Sequence, residues 1–250
     1  MSWTDVKAIQ AMHAMRDQFG IRTLIETGTH KGVNAYLHAA AFERVFTVEI
    51  SASSMTEAYT QRLYKCPNVL PALGSSPQFL KHLIPALPKD EMLMLYLDAH
   101  FYDPSLPKHK RFVVLDELAA LASTPNCLII IHDFENKELG HITYDGIPLG
   151  AELLREALYK VNPKFHFYSN TKQQCEIVTK EGVEKGLHER IPPDPEVLDN
   201  LSYVWSSPQK TYRGILYCSP DPLSDSIDLT PFDIDEGKLL RSANFESLTS

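Results

Sequence analysis

Residues 23–51, TLIETGTHKGVNAYLHAAAFERVFTVEIS, constrain the fold more than any other part of the chain. A short apolar run, Thr23-Leu24-Ile25, ends in Glu26-Thr27-Gly28-Thr29-His30-Lys31-Gly32. A segment with helical character follows over 34–42, then a second β-branched run, Val45-Phe46-Thr47-Val48, closed by Glu49. Strand, glycine-containing turn, helix, and strand with an acid at its tip make a βαβ unit of the kind that binds nucleotide-like ligands. Gly28 permits a tight turn and lets a ligand approach where a side chain would block it. Glu49 stands 21 residues after Gly28, at the tip of the neighbouring strand. There its carboxylate can accept hydrogen bonds from ribose hydroxyls.

The remaining chain repeats this alternation. Residues 2–19 carry Val6, Ile9, Met12 and Phe19 near helical spacing, with Gly20 as the stop. A second helix opens at Ser51, with Met55, Ala58, Tyr59 and Leu63 as its apolar stripe. Residues 68–73 read as a short strand weakened by Pro71. In the turn Gly74-Ser75-Ser76-Pro77, Ser76 is the expected N-cap and Pro77 the first helical residue. Residues 92–97 are continuously apolar, as in a central parallel strand covered on both faces, and end in Asp98-Ala99-His100. A helix over 113–122 leads to the apolar strand 127–131, which ends in His132-Asp133.

A loop containing Tyr144, Asp145 and Gly146 precedes a helix over 150–161 and a strand over 165–168. The pattern weakens over 171–208, where 174–179 is a candidate strand, and returns in a last strand over 214–218. Residues 219–250 hold an excess of acid and read as a surface-wrapping or partly disordered tail. The expected fold is therefore α/β: a Rossmann-like, doubly wound, mostly parallel sheet of about seven strands, with helices on both faces and the last strand antiparallel. Residues 1–20 form an N-terminal helix, 21–218 the domain with an irregular insertion at 171–208, and 219–250 the tail. In such sheets a ligand lies outside the carboxyl ends of the strands. Those ends carry Glu26-Thr27-Gly28, Glu49, Gly74-Ser75, Asp98-Ala99-His100 and His132-Asp133.

Composition narrows the partners. A net charge of −8 opposes broad attraction to nucleic acid or to an anionic membrane. Only Lys108-His109-Lys110-Arg111 forms a local basic run. Cys66, Cys127, Cys175 and Cys218 show neither CxxC nor zinc spacing. No signal-peptide pattern opens the chain and no apolar stretch approaches about 18 residues, so the expectation is a cytoplasmic protein without a membrane span.

Glu26-Thr27-Gly28-Thr29-His30-Lys31-Gly32, Phe46-Thr47-Val48-Glu49 and Leu97-Asp98-Ala99-His100 resemble three motifs of the class I S-adenosylmethionine-dependent methyltransferases. The resemblance spans residues 20–218. It implies S-adenosylmethionine as cofactor, with Gly28, Thr29 and the adjoining Thr27 and Gly32 against its amino-acid portion and Glu26 near its ammonium. Glu49 then binds the ribose and Ser75 lies near the adenine, where the family often has an acid. Asp98 falls beside the transferred methyl group.

Transfer to a hydroxyl also requires loss of its proton, to a base or with help from a metal. Two arrangements are open. In one, Asp98 and Asp133 hold Mg²⁺ or another divalent cation, as the metal-dependent small-molecule O-methyltransferases would imply. Against that pattern, Asp133 is followed by Phe134, and Asn136 comes only later. In the other, His100 or His132 is the general base; either histidine would also suit a softer metal. The expected activity is O-methylation of a small-molecule acceptor such as a sugar or secondary metabolite.

Two other classes compete with it. An NAD-dependent oxidoreductase would use Glu49 equally well, but Gly28-Thr29-His30-Lys31-Gly32 lacks the middle glycine that a pyrophosphate needs. A non-catalytic binding module would keep the fold without needing Asp98 or Asp133.

Overall fold

The computed structural model describes residues 6–99, 105, 107, 111–122, 124, 126–135, 143–144, 146–171 and 214–240. His100, Tyr102, Asp103, Asn136, Asp145, the basic residues 108–110, the candidate strand 174–179 and the rest of the insertion fall outside them.

The chain opens with α1 (Val6–Phe19), β1 (Thr23–Thr27), α2 (Val33–Ala39), β2 (Arg44–Glu49), α3 (Ala52–Gln61) and β3 (Val69–Leu73). It continues with α4 (Ser76–Leu83), β4 (Leu93–Leu97), α5 (Val113–Ala120) and β5 (Cys127–Phe134). A two-strand hairpin, β6 (Thr143–Tyr144) and β7 (Ile147–Pro148), precedes α6 (Ala151–Val161) and β8 (His166–Ser169). The described chain ends with β9 (Gly214–Ser219), β10 (Thr230–Asp233) and β11 (Lys238–Leu239).

Among the described residues the main sheet has nine strands in the order β11-β10-β8-β9-β5-β4-β1-β2-β3. Strands β3, β2, β1, β4 and β5 are mutually parallel. β9 runs antiparallel to both β5 and β8, as expected of the last strand. The strand order reverses between β1 and β4, the switch point at which doubly wound sheets take their ligands.

Alternation along the strands builds two cores. Leu24, Val45, Met94, Leu128 and Ile130 face α1, α2 and α3 through Met12, Met15, Ala35 and Ala58. Ile25, Leu95, Leu97, Ile129 and Ile131 face α4, α5 and α6 through Leu80, Leu118, Leu154 and Leu158. Each such Leu or Ile contributes roughly 1.5–3 kcal/mol on burial, which is why these strands read as unbroken apolar runs.

Three differences from the sequence reading have physical causes. Ser75, not Ser76, is the N-cap of α4; Pro77 is tolerated anywhere in the first turn, so it does not fix the cap to one residue. β3 accepts Pro71 because it is the edge strand, where a missing N–H costs no ladder bond. The tail adds two strands to the sheet, carrying it beyond seven, because its acid-rich sequence conceals apolar anchors. Phe232 and Ile234 are buried, and the Phe232 ring meets Phe134 edge-on at 5.3 Å.

Candidate active site

Parallel register sets Glu26 beside Thr47 on one side and beside Tyr96 on the other. All three belong to the face covered by α1–α3, since Leu24, Val45 and Met94 precede them by two residues there. One step further along the same face come Glu49, Asp98 and His132. Polar side chains from four adjacent strands therefore meet at the switch point.

Glu26 is 2% exposed and accepts a hydrogen bond from the Thr47 hydroxyl at 2.6 Å. The Thr29 and Thr47 hydroxyls pair at 2.6 Å. Burial pushes the Glu26 carboxyl up to about 8; hydrogen bonds from Thr47 and Asn34 oppose the rise, and the charges of Asp98 and Glu49 add to it. At neutral pH this acid is mostly protonated, within the field of two other carboxylates. Such a surround favours a cationic ligand and repels an anionic one.

The turn after β1 is held by β2: the Gly28 and Thr29 N–H groups both donate to the Val48 carbonyl, at 2.9 and 3.1 Å. Gly28 has φ +84°, and a Cβ there would lie 2.5 Å from the Asp98 carbonyl oxygen. Its lack of a side chain is thus required by the backbone of the neighbouring strand end, a reason the sequence does not reveal. Thr27 supports the same junction, its hydroxyl accepting from the Asp98 N–H at 3.2 Å. Gly32, at φ +71°, opens α2, and a Cβ there would press on Ala58 and Leu63.

Glu49 clasps the turn from the other side. Its Oε2 accepts from the His30 N–H at 2.8 Å and its Oε1 from the Ser51 N–H at 2.9 Å. Each oxygen retains acceptor capacity for a ligand hydroxyl. Beside it, the Gly74 N–H donates to the Glu49 carbonyl at 2.9 Å. The half-buried Ser75 makes no capping bond with its side chain. Ile50 and Leu73 are 65% and 60% exposed at these two strand ends, a pair of apolar side chains next to a carboxylate.

At β5 the strand does not end at Ile131. Ile131 pairs with Leu216 and Phe134 with Gly214, so His132 and Asp133 together oppose the single residue Ile215. This is a β-bulge, a device that re-aims side chains beside functional sites. Asp133 is buried with φ +56°, a left-handed conformation uncommon for a residue with a side chain. The His132 Nδ1 lies 3.4 Å from Asp98 Oδ1 and 3.2 Å from Asp133 Oδ1. Neither contact is a hydrogen bond; the two carboxylates act on this edge of the ring through charge and proximity.

The β8 side of Ile215 is held by side chains: Asn170 Oδ1 accepts its N–H at 2.8 Å and the Ser169 hydroxyl donates to its carbonyl at 2.9 Å. Sequence reasoning passed over Asn34, Thr47, Ser169 and Asn170. The signal for Thr47 was its register with Glu26; Ser169 and Asn170 are a polar pair directly after the 165–168 run, and nothing local marked Asn34.

Among the described residues no group of three or more His, Cys, Asp or Glu side chains is arranged to hold a metal. Asp98 Oδ1 and Asp133 Oδ1 each lie against His132 Nδ1 instead. This donor arrangement does not fit the hard-cation site expected of Asp98 and Asp133.

A parallel sheet in the order 3-2-1-4-5, closed by a reversed strand and carrying a glycine turn after β1 and an acid at the tip of β2, is a Rossmann-like, doubly wound fold. No protein-family model matches the chain, and no curated protein does. Solved structures overlay on it loosely. The plantazolicin methyltransferase BamL, in complex with a triazolic desmethylPZN analog and SAH, shares 13% identity over 87% of this chain and 85% of its own, with a TM-score of 0.48. An O-methyltransferase from Bacillus cereus in complex with SAH shares 15% over 87% and 81%, with a TM-score of 0.41. An rRNA methylase from Streptococcus thermophilus shares 11% over 87% and 97%, with a TM-score of 0.44. Overlays this loose assign no substrate and no residue role; the strand order and side chains of this chain carry the fold.

Proposed function

We propose that the protein is an S-adenosylmethionine-dependent methyltransferase acting on a hydroxyl of a small-molecule acceptor. The observation that carries this reading is the convergence of Glu26, Glu49 and Asp98 on one glycine turn at the switch point. S-adenosylmethionine supplies a methyl group on a sulfonium, which an acceptor oxygen displaces in line. It is cationic and carries no phosphate, as this carboxylate surround requires. The pyrophosphate of NAD would meet the negative charges of Glu49 and Asp98, which disfavours the oxidoreductase.

Under this reading Glu26 faces the ligand ammonium, Glu49 offers its spare lone pairs to the ribose, and Ile50 and Leu73 flank the base near Ser75. His132 takes the proton of the acceptor hydroxyl at Nε2, while Asp98 and Asp133 stabilise the resulting imidazolium from Nδ1. Much of the rate then comes from orientation, which can contribute roughly 7–11 kcal/mol. The net charge of −8 favours a small acceptor over a polyanion. Free Cys66, Cys127 and Cys218 suit a reducing cytoplasm.

Isothermal titration with S-adenosylmethionine tests the cofactor; no binding at millimolar concentration overturns the reading. Titration of NADH, followed by its fluorescence, distinguishes the oxidoreductase. Release of S-adenosylhomocysteine over a panel of hydroxylated small molecules tests catalysis. Full activity in His132→Ala would remove the histidine from the mechanism.

A further inference from the structure

Arg62 is one of the largest fully buried side chains among the described residues, at 2% exposure. Taking a guanidinium out of water costs several kcal/mol, and an apolar side chain of similar size often serves stability as well. Its presence therefore asks what it holds. α3 stops at Gln61, and Arg62 leaves the helix with φ −133° and ψ −57°. From that corner its Nη1 donates to the Lys31 carbonyl at 3.1 Å and to Gln61 Oε1 at 2.8 Å.

Lys31 lies between two left-handed residues, His30 at φ +48° and Gly32 at φ +71°. The same corner meets the turn by packing: a Cβ on Gly32 would lie 3.0 Å from Ala58 Cβ and 3.1 Å from Leu63 Cδ2. The His30 N–H is in turn one of the two groups that orient Glu49. A chain of contacts thus runs from Arg62 through the Lys31 carbonyl and His30 to the Glu49 carboxylate.

We propose that Arg62 is a positioning residue for cofactor binding: by holding the Lys31 carbonyl it fixes the left-handed turn that aims Glu49 at its ligand. The role rests on the cofactor site proposed above. A charge-assisted bond to a carbonyl gives directional restraint that packing alone does not.

The experiment is titration of S-adenosylhomocysteine into the wild-type chain, Arg62→Met and Arg62→Lys, reading stoichiometry and Kd separately. Met keeps the packing volume and removes the donors, whereas Lys keeps a cationic donor on a stem of similar length. The expected result is full stoichiometry for all three, a Kd raised on the order of ten-fold in Arg62→Met, and partial recovery in Arg62→Lys. Loss of stoichiometry with an unchanged Kd means that Arg62 only supports folding, and overturns the proposal. So does a Kd in Arg62→Met equal to that of wild type. Should Arg62→Met not fold, Arg62→Gln, whose amide is too short to reach the Lys31 carbonyl, takes its place: an unchanged Kd at full stoichiometry overturns the proposal, and a raised Kd at full stoichiometry supports it. A wild-type chain that binds no S-adenosylhomocysteine overturns the cofactor reading itself, which the variants alone would not.

Discussion

Binding that places a ligand ammonium beside Glu26 should expel a proton. Burial holds this carboxyl at about 8 against an ordinary value of 4.5, a preference for the neutral form of about 5 kcal/mol. The folded value is raised, so the associated stability is fully present below pH 4.5 and is lost as pH rises through 8. At pH 7 about nine-tenths of the molecules carry the Glu26 proton. An ammonium placed against the carboxylate reverses the balance, because it neutralises the charge that burial penalises. Calorimetric titration of S-adenosylhomocysteine at pH 7, in buffers of differing ionisation enthalpy, measures the protons exchanged. Wild type should release close to one proton more than Glu26→Gln. Affinity should also rise with pH towards 8 in wild type and less in the variant. Equal proton release by the two proteins would refute the reasoning, since Glu26 would then keep its proton whether or not the ligand is bound.

Other perturbations probe the frame around the site. Gly28→Ala drives a Cβ to 2.5 Å from backbone, whereas Gly20→Ala adopts a comparable left-handed φ with nothing within 4 Å. The first should lower the thermal midpoint more than the second, the excess reflecting an overpacking cost of about 1–3 kcal/mol. Asn170→Ala strands the buried Ile215 N–H behind the bulge, at a cost of about 1–3 kcal/mol in urea denaturation. At the opposite end of the sheet, Glu91 accepts from Thr23 at 2.6 Å and from Arg44 at 2.6 and 2.5 Å. Burial works against its ionised form, but these bonds and the Arg44 charge prevail and hold it below the usual carboxylate range. Its contribution is thus present above pH 4.5 and lost as pH falls through the depressed value. Glu91→Gln should lose stability at pH 7, and its deficit should shrink as the pH is lowered.

The glycine turn and the acid beside it were legible because backbone chemistry writes itself locally. A turn that needs positive φ at Gly28 and Gly32 and an acid closing the next strand leave a mark at short range, in residues 23–51. Continuous apolar runs likewise announced the central strands, since burial on both faces permits little else. The acidic tail misled for the converse reason: Phe232 and Ile234 find their partners far away in sequence, so nothing local marked them as core. The cluster around His132 depended on tertiary structure still more. His132 and Asp133 are adjacent letters in the chain, but their arrangement around one imidazole nitrogen exists because Ile215 faces both of them across a bulge. Asp98 reaches the same nitrogen only because β4 lies beside β5. Sequence alone determined the alternation of strands and helices, and with it the edge of the sheet where a ligand would sit. Tertiary structure decided which carboxylate is neutral, why Gly28 admits no side chain, and what holds His132. Burial, register and charge proximity belong to neighbours in space, and no single segment of chain contains them.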